Sequence, residues 1–339
     1  MRNSTLLSVI VAFSFLMFSF ESSARETNDK VKLAEFENFL ILKKNVFKVA
    51  VDAESINQFY KKYPKLKKYQ NDVLDLYKKK QYNLIWYDDK SVSEFGSLLY
   101  HKVHLINDQG IKATMPYIDV IDDIFNENVS NKLPQIDTEL LLSNMYVFYA
   151  SNVYSGVDAA TLKKIGWFLP AKNISYAKIL DSLMVDPGRL NKDENLLFGQ
   201  YYKLQTVLKK YRTIEKNNLW KKIDIDSATY KDLRPFDSGV AVKQIRERLF
   251  VVGDLAQDSK REVYDEEMMA GVLKYKKRYG LKLNYAITRD HINQMNEPIG
   301  NRIKTIMLNM ERCRWIPTDL AQATEYVMVN IPSFRIKTR

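Results

Sequence analysis

The sequence predicts a mainly α-helical protein: a helical scaffold region, then a small three-helix bundle, then the first strand of a β-rich domain. Three observations carry this. Apolar residues recur at three-to-four spacing through most of the chain. Turn chemistry and helix caps gather between residues 233 and 297. Only "EYVMVNI", near the far end, alternates with period two.

The first 24 residues stand apart. "MRNSTLLSVIVAFSFLMFSFESSA" has Arg2, an apolar run from Leu6 to Phe20, and small residues ending at Ala24. That is the pattern of a secretory signal with cleavage after Ala24; the run is short for a membrane span, so no stable transmembrane span is expected after cleavage. Retention as an uncleaved anchor is the alternative. The chain has one cysteine, Cys313, so an exported form holds no internal disulfide and must be stabilised by burial. The net charge is +11. For an exported protein this points to the cell wall or a membrane surface as polyanion rather than to nucleic acid. Solubility explains the charge equally well.

Residues 31–232 read as helical scaffold. Phe59, Tyr60, Tyr63, Leu66, Tyr69, Val73, Leu76 and Tyr77 form one apolar stripe of an amphipathic helix under a lysine-covered face. "NLIWYDD" then ends it as a buried extended piece. Leu140 to Tyr149 is apolar nearly all round, the pattern of a central helix, with Gly156 and Asp158 ending it. Leu197, Tyr201, Leu204, Leu208 and Tyr211 make another stripe. His101 and His104 share a helix face but have no third ligand in view, so no metal is expected.

Residues 233–297 read as a separate bundle. Asp237 or Ser238 is the expected N-cap of its first helix, with Val242, Ile245 and Leu249 buried and Gly253 closing it. Asp265 caps the second, which buries Met268, Val272, Tyr275 and Tyr279 and stops at Gly280. Thr288 caps a third, short helix that buries Ile292 and Met295.

"LRPFDSGVAVKQIRERLFVVGDL…VYDEEMMAGVLKYKKRYGL" resembles a peptidoglycan-binding helical domain. "NRIKTIMLNMERCRWIP" resembles the linker helix, roughly R-I-x-x-I-x-x-N-x-E-R-x-R-W-x-P, that follows it in large L,D-transpeptidases, placing the linker at 298–317. "YVMVNIPSFRI" is similar to the first strand of their YkuD-type catalytic domain, which would begin in 318–339. "LYKKKQYNLIWY" and "VYSGVDAATLKKIGWFL" are similar to their scaffold domain. The resemblance implies peptidoglycan as partner, no cofactor, a periplasmic, wall-associated setting, and transpeptidation by a cysteine thiolate in an S-H-G-C-[IV]-R-like motif. That thiolate attacks the L-to-D carbonyl of a tetrapeptide stem, releases D-alanine and passes the acyl group to a second stem's amine. Arg246, Tyr264, Tyr275 and Arg278 are the candidate peptidoglycan contacts of the bundle; core packing or solvated surface accounts for each equally well. There are departures. The usual D-G-x-x-G-x-x-T turn reads "KLNYAITRDH", with only Thr288 in place.

The nucleophile motif does not occur in these residues: none of the three histidines is followed by glycine. Cys313 lies between two arginines, a setting that favours a thiolate. Yet Ile303, Ile306, Met310 and Cys313 fall on one helical stripe, so it is expected to pack as a small hydrophobe. Glu311, Arg312, Arg314 and Trp315 are read as locking the helix onto its neighbours. The strand after Pro317 is expected to lack partners. As it stands the chain is expected to be inactive, either a transpeptidase without its catalytic half or a non-catalytic exported wall-binding protein.

Overall fold

The computed structural model describes residues 51–338, apart from 89–90, 127–132, 158, 167–171, 173, 191–196, 227–228, 318–324, 326 and 331–334. The signal segment with Ala24, and Asp158, lie outside the described residues. The chain is mainly helical.

The first apolar stripe is not one helix. Proline has no N–H and pushes the residue before it out of the α region. Tyr63, at φ −120 and ψ 64, therefore closes α1 (Ala53–Lys62). Pro64–Tyr69 continue as a 3-10 turn and α2 (Gln70–Lys79) resumes beyond it. The stripe residues still reach one core, because the break redirects the axis without exposing them. Asp52 caps α1 through the Ser55 N–H at 2.7 Å.

Ile85 and Trp86 are buried just ahead of a two-residue hairpin, β1 (Tyr87–Asp88) and β2 (Ser91–Val92). α3 (Glu94–His104), a 3-10 turn (Ile106–Gln109) and α4 (Ile118–Phe125) follow. They surround α5 (Gln135–Ala150), whose residues from Thr138 onward are all buried. α5 passes into a π-helical turn, Ser151–Ser155, that stops at Gly156 with φ 70. α6 (Ala159–Lys164) and α7 (Tyr176–Val185) complete this layer.

α8 (Gln200–Lys216) carries the next stripe. Its Tyr201, Leu208 and Tyr211 form a second core with Ile303, Met307, Met310 and Cys313 of α12 (Ile299–Trp315). The start of α8 meets the end of α12 through Tyr201 and Arg314, and the segment after α8 meets the start of α12 through Trp220 and Glu297. The two helices are therefore antiparallel.

The bundle lies between them in sequence and has its own core. It consists of α9 (Val240–Val252), α10 (Glu266–Tyr279) and α11 (Arg289–Met295). Asp265 caps α10, Thr288 caps α11, and Gly253 and Gly280 end α9 and α10 in the left-handed region. The cap of α9 is different from expectation. Gly239, not Asp237 or Ser238, is the N-cap residue, and no side chain bonds the helix start. Asp237 is drawn into the preceding turn, where its carboxylate accepts the Arg234 N–H at 2.7 Å. The core also extends upstream of residue 233. Ile223 is buried in it, and Asn296 both accepts the Ile223 N–H and donates to its carbonyl, each at 2.8 Å.

The late strand does have a partner. β3 (Val327–Asn330) pairs antiparallel with β4 (Arg335–Thr338), Val327 opposite Thr338 and Asn330 opposite Arg335. A hairpin satisfies one edge that a lone strand would leave open. Among the described residues no helix is long and apolar enough to cross a membrane.

Candidate functional site

The proposed wall contacts of the bundle prove to be largely interior. Arg246 is fully buried, donating to Asp265 Oδ1 at 2.6 Å, Glu267 Oε2 at 3.0 Å and the Val263 carbonyl at 2.8 Å. Burial works against ionising Asp265, but the hydrogen bonds from Arg246 and the Met268 N–H outweigh it and hold the carboxyl below its usual range. Tyr264 is buried with its hydroxyl donating to the Tyr285 carbonyl at 2.7 Å, and buried Tyr275 bonds Gln294. Arg278 pairs with Asp254 and lies 4.7 Å from the Tyr279 ring centroid. Arg246 thus ties α9 to α10, Tyr275 ties α10 to α11, and Tyr264 joins the segments ahead of α10 and α11; all three are buried. Only Arg278 keeps partial exposure.

Amid the charged groups that the bundle exposes are several apolar side chains. Phe236 is 75 % exposed and sits at φ 73. A β-carbon in that region costs about 1–2 kcal/mol, and an exposed aromatic recovers nothing from burial. The neighbouring segments are held to it by backbone. The Phe236 N–H donates to the Tyr264 carbonyl at 2.9 Å, Ser238 bridges Val263, and Leu233 bridges Ile287. Val263 and Tyr285, on those segments, are also exposed.

Two joints fix the bundle and its return helix to the scaffold. The first is the Glu-Arg-Cys-Arg-Trp stretch of α12. Glu311 accepts the Val157 N–H at 3.1 Å, the Trp315 indole N–H at 2.8 Å and Arg314 Nη1 at 2.7 Å. Arg314, fully buried, also donates to the Gln109 carbonyl and reaches the Tyr201 hydroxyl at 3.4 Å. Gly156 makes the approach possible: a β-carbon there would lie 2.9 Å from both Glu311 Oε1 and Trp315 Cδ1. Lys172, beside this joint, donates to the Tyr154 carbonyl at 3.0 Å. Burial, with the Arg314 charge adding to it, lowers its pKa to about 8. Arg312 takes no part in the lock; it is exposed and bonds Asn309 of its own helix at 3.2 Å.

The second joint is aromatic and cationic. Trp220 donates its indole N–H to the Glu297 carbonyl at 3.0 Å, under the Arg248 guanidinium 3.7 Å from its ring. Arg248 donates to the carbonyls of Met295 and Lys221, and Arg302 donates to the Tyr279 hydroxyl at 2.5 Å. Charged groups here are matched to rings and carbonyls, an arrangement for holding rather than reacting.

Cys313 is 6 % exposed in the core between α8 and α12. Burial raises its thiol to about 11, against a smaller opposing pull from Arg314, so at neutral pH it carries no thiolate. His104 lies 2.8 Å from Asp122. Among the described residues no group of three metal-ligating side chains comes together.

One buried network went unnoticed in sequence. Glu139, fully buried in α5, accepts the Tyr77 hydroxyl at 2.8 Å, the Ile85 N–H at 2.6 Å and the Trp86 N–H at 3.2 Å. Ser143 takes the Trp86 indole N–H at 2.7 Å. These bonds pin "NLIWYDD" against the central helix. Burial raises the Glu139 pKa despite the three donors. A single carboxylate beside three leucines was the available signal.

A family model for a Scaffold domain, the scaffold domain found in L,D-transpeptidases, matches residues 71–208. That match runs from α2 into α8, so it includes the Gly156 seat, Gln109 and Tyr201 of the first joint. No curated protein matches the chain.

Proposed function

We propose that this chain serves peptidoglycan cross-linking as the frame of an L,D-transpeptidase-type protein, exported to the periplasm and held at the wall. The observation that carries this reading is the Scaffold match at residues 71–208, whose last helix seats the Glu-Arg-Cys-Arg-Trp stretch. The frame holds the end of α12 through Arg314 and Glu311. These 339 residues supply no nucleophile for the acyl transfer, because the S-H-G-C motif is missing and Cys313 is a buried neutral thiol.

The wall contact falls to side chains that the bundle leaves outside. Phe236 and Tyr285 offer aromatic faces suited to the apolar faces of sugar rings. The strained Phe236 favours the second reading as well, a non-catalytic wall-binding protein, since strain retained at an exposed position marks use.

Sedimentation of the full chain with purified sacculi, alongside incubation with disaccharide tetrapeptides, tests both readings. Sedimentation without formation of cross-linked dimers is expected. Failure to sediment with sacculi would remove the wall reading. Phe236→Gly is expected to weaken sedimentation while raising stability by about 0.5–1 kcal/mol, so that unfolding cannot account for the loss.

A further inference from the structure

An open cavity of about 430 Å³ lies between the end of α3, the Ile106–Gln109 turn and the outer face of α8. Lys102, Lys209 and Arg212 line it against a single carboxylate, Asp108. The balance favours an anion. Arg212 Nη1 donates to the Asn107 carbonyl at 2.6 Å and lies 3.5 Å from Asp108, but among the described residues Nη2 has only the Met307 sulfur, at 3.8 Å. A thioether is a weak acceptor, so a carboxylate oxygen offers that N–H a much stronger partner. Lys209, one turn earlier on α8, is exposed and has no ion pair among the described residues.

The rest of the lining is suited to a peptide. Gln205 Nε2 donates to Gln109 Oε1 at 2.9 Å, and both amides, which line the cavity, are of a kind that pairs with peptide groups. Leu208 forms an apolar floor and Leu105, 57 % exposed, an apolar rim. The volume fits a small ligand rather than a polymer.

We propose that this groove binds a short peptide carrying a free carboxylate and small aliphatic side chains, its carboxylate spanning Arg212 and Lys209. The proposal rests on the wall reading for the identity of that peptide, a stem of the polymer. It adds a second wall contact on the scaffold, apart from the bundle. The groove also shares a residue with the first joint, because Gln109 lines the cavity and its carbonyl accepts from Arg314.

The test is calorimetric titration of the full chain with a disaccharide tetrapeptide and with the peptide-free disaccharide. The tetrapeptide is expected to bind and the bare disaccharide not. Lys209→Glu, on an exposed position that leaves the fold intact, is expected to weaken binding at least about tenfold, the equivalent of one charge-assisted contact. Arg212→Gln should weaken it further. Equal affinity for Lys209→Glu and the parent, or equal binding of the bare disaccharide, overturns the assignment. If the tetrapeptide does not bind while the chain still sediments with sacculi, the groove assignment alone fails. If sedimentation is lost too, the wall reading fails with it.

Discussion

The scaffold and the bundle each bury a charged side chain, and they accommodate it in opposite ways. Glu139 of the scaffold is surrounded by neutral donors, one hydroxyl and two backbone N–H groups. Arg246 of the bundle lies between two carboxylates. With no counter-charge nearby among the described residues, burial outweighs the three donors that favour the carboxylate, so the Glu139 pKa rises. At Asp265 burial is outweighed by the hydrogen bonds from Arg246 and the Met268 N–H, so its pKa falls. The two regions should therefore answer pH with opposite signs.

The largest effect should follow from removing a partner. Glu139→Ala leaves three buried donors without an acceptor and opens a cavity, which should cost about 4 kcal/mol, read from denaturant unfolding. Arg246→Leu leaves Asp265 and Glu267 facing each other, at about 3 kcal/mol since both carboxylates are partly exposed. If the Arg246 variant proves the more damaging, the counter-charged site holds its region together more strongly than the neutral donors around Glu139 do.

The pH responses come next. Asp265, depressed in the fold, contributes stability that is present above its unfolded value of 3.8 and lost as pH falls through the folded one. Glu139, raised in the fold, contributes stability present below 4.5 and lost as pH rises through its folded value. On acidification below about pH 4 the bundle should loosen first, seen as early hydrogen exchange in α9 and α10 with α5 still protected. Simultaneous loss of protection would remove the distinction.

A smaller effect sharpens the view of the joint between the regions. Gly156→Ala puts a β-carbon against Glu311 and Trp315 at φ 70, and should cost about 2 kcal/mol with a change in Trp315 fluorescence. The smallest belongs to Cys313→Ser, at about 1 kcal/mol and with no effect on wall binding. In the parent, alkylation of Cys313 should be slow at pH 8. The stability linked to its thiol is present below 9 and lost as pH climbs through about 11. Rapid modification at neutral pH would restore it as a nucleophile.

Local features were readable in the sequence, and features made by distant partners were not. The caps Asp265 and Thr288 and the stops Gly253 and Gly280 depend on residues within one turn, and the structure places each as read. Asp237 misled because two backbone sites competed for one carboxylate, and the turn at Arg234 won. Arg246 and Tyr264 carry polar tips that suggest a surface, whereas Tyr275 was legible on the buried stripe of its helix. The burial of the first two depends on Asp265, Glu267 and the Tyr285 carbonyl, which only the fold brings near. The Phe236 backbone angle left no mark in composition or periodicity. Nor could spacing show that the groove of Lys209 and Arg212 faces a turn a hundred residues upstream.

Trp220 and Glu297 set how the molecule bears load. The chain enters the bundle beside Trp220 and leaves it at Glu297, and one hydrogen bond joins the two points. A pull on the bundle would therefore arrive at one end of the α8–α12 pair and tend to peel the helices apart from there. Arg314 and Gly156, at the opposite end, would feel that force last, so the joint to the scaffold would outlast the neck of the bundle.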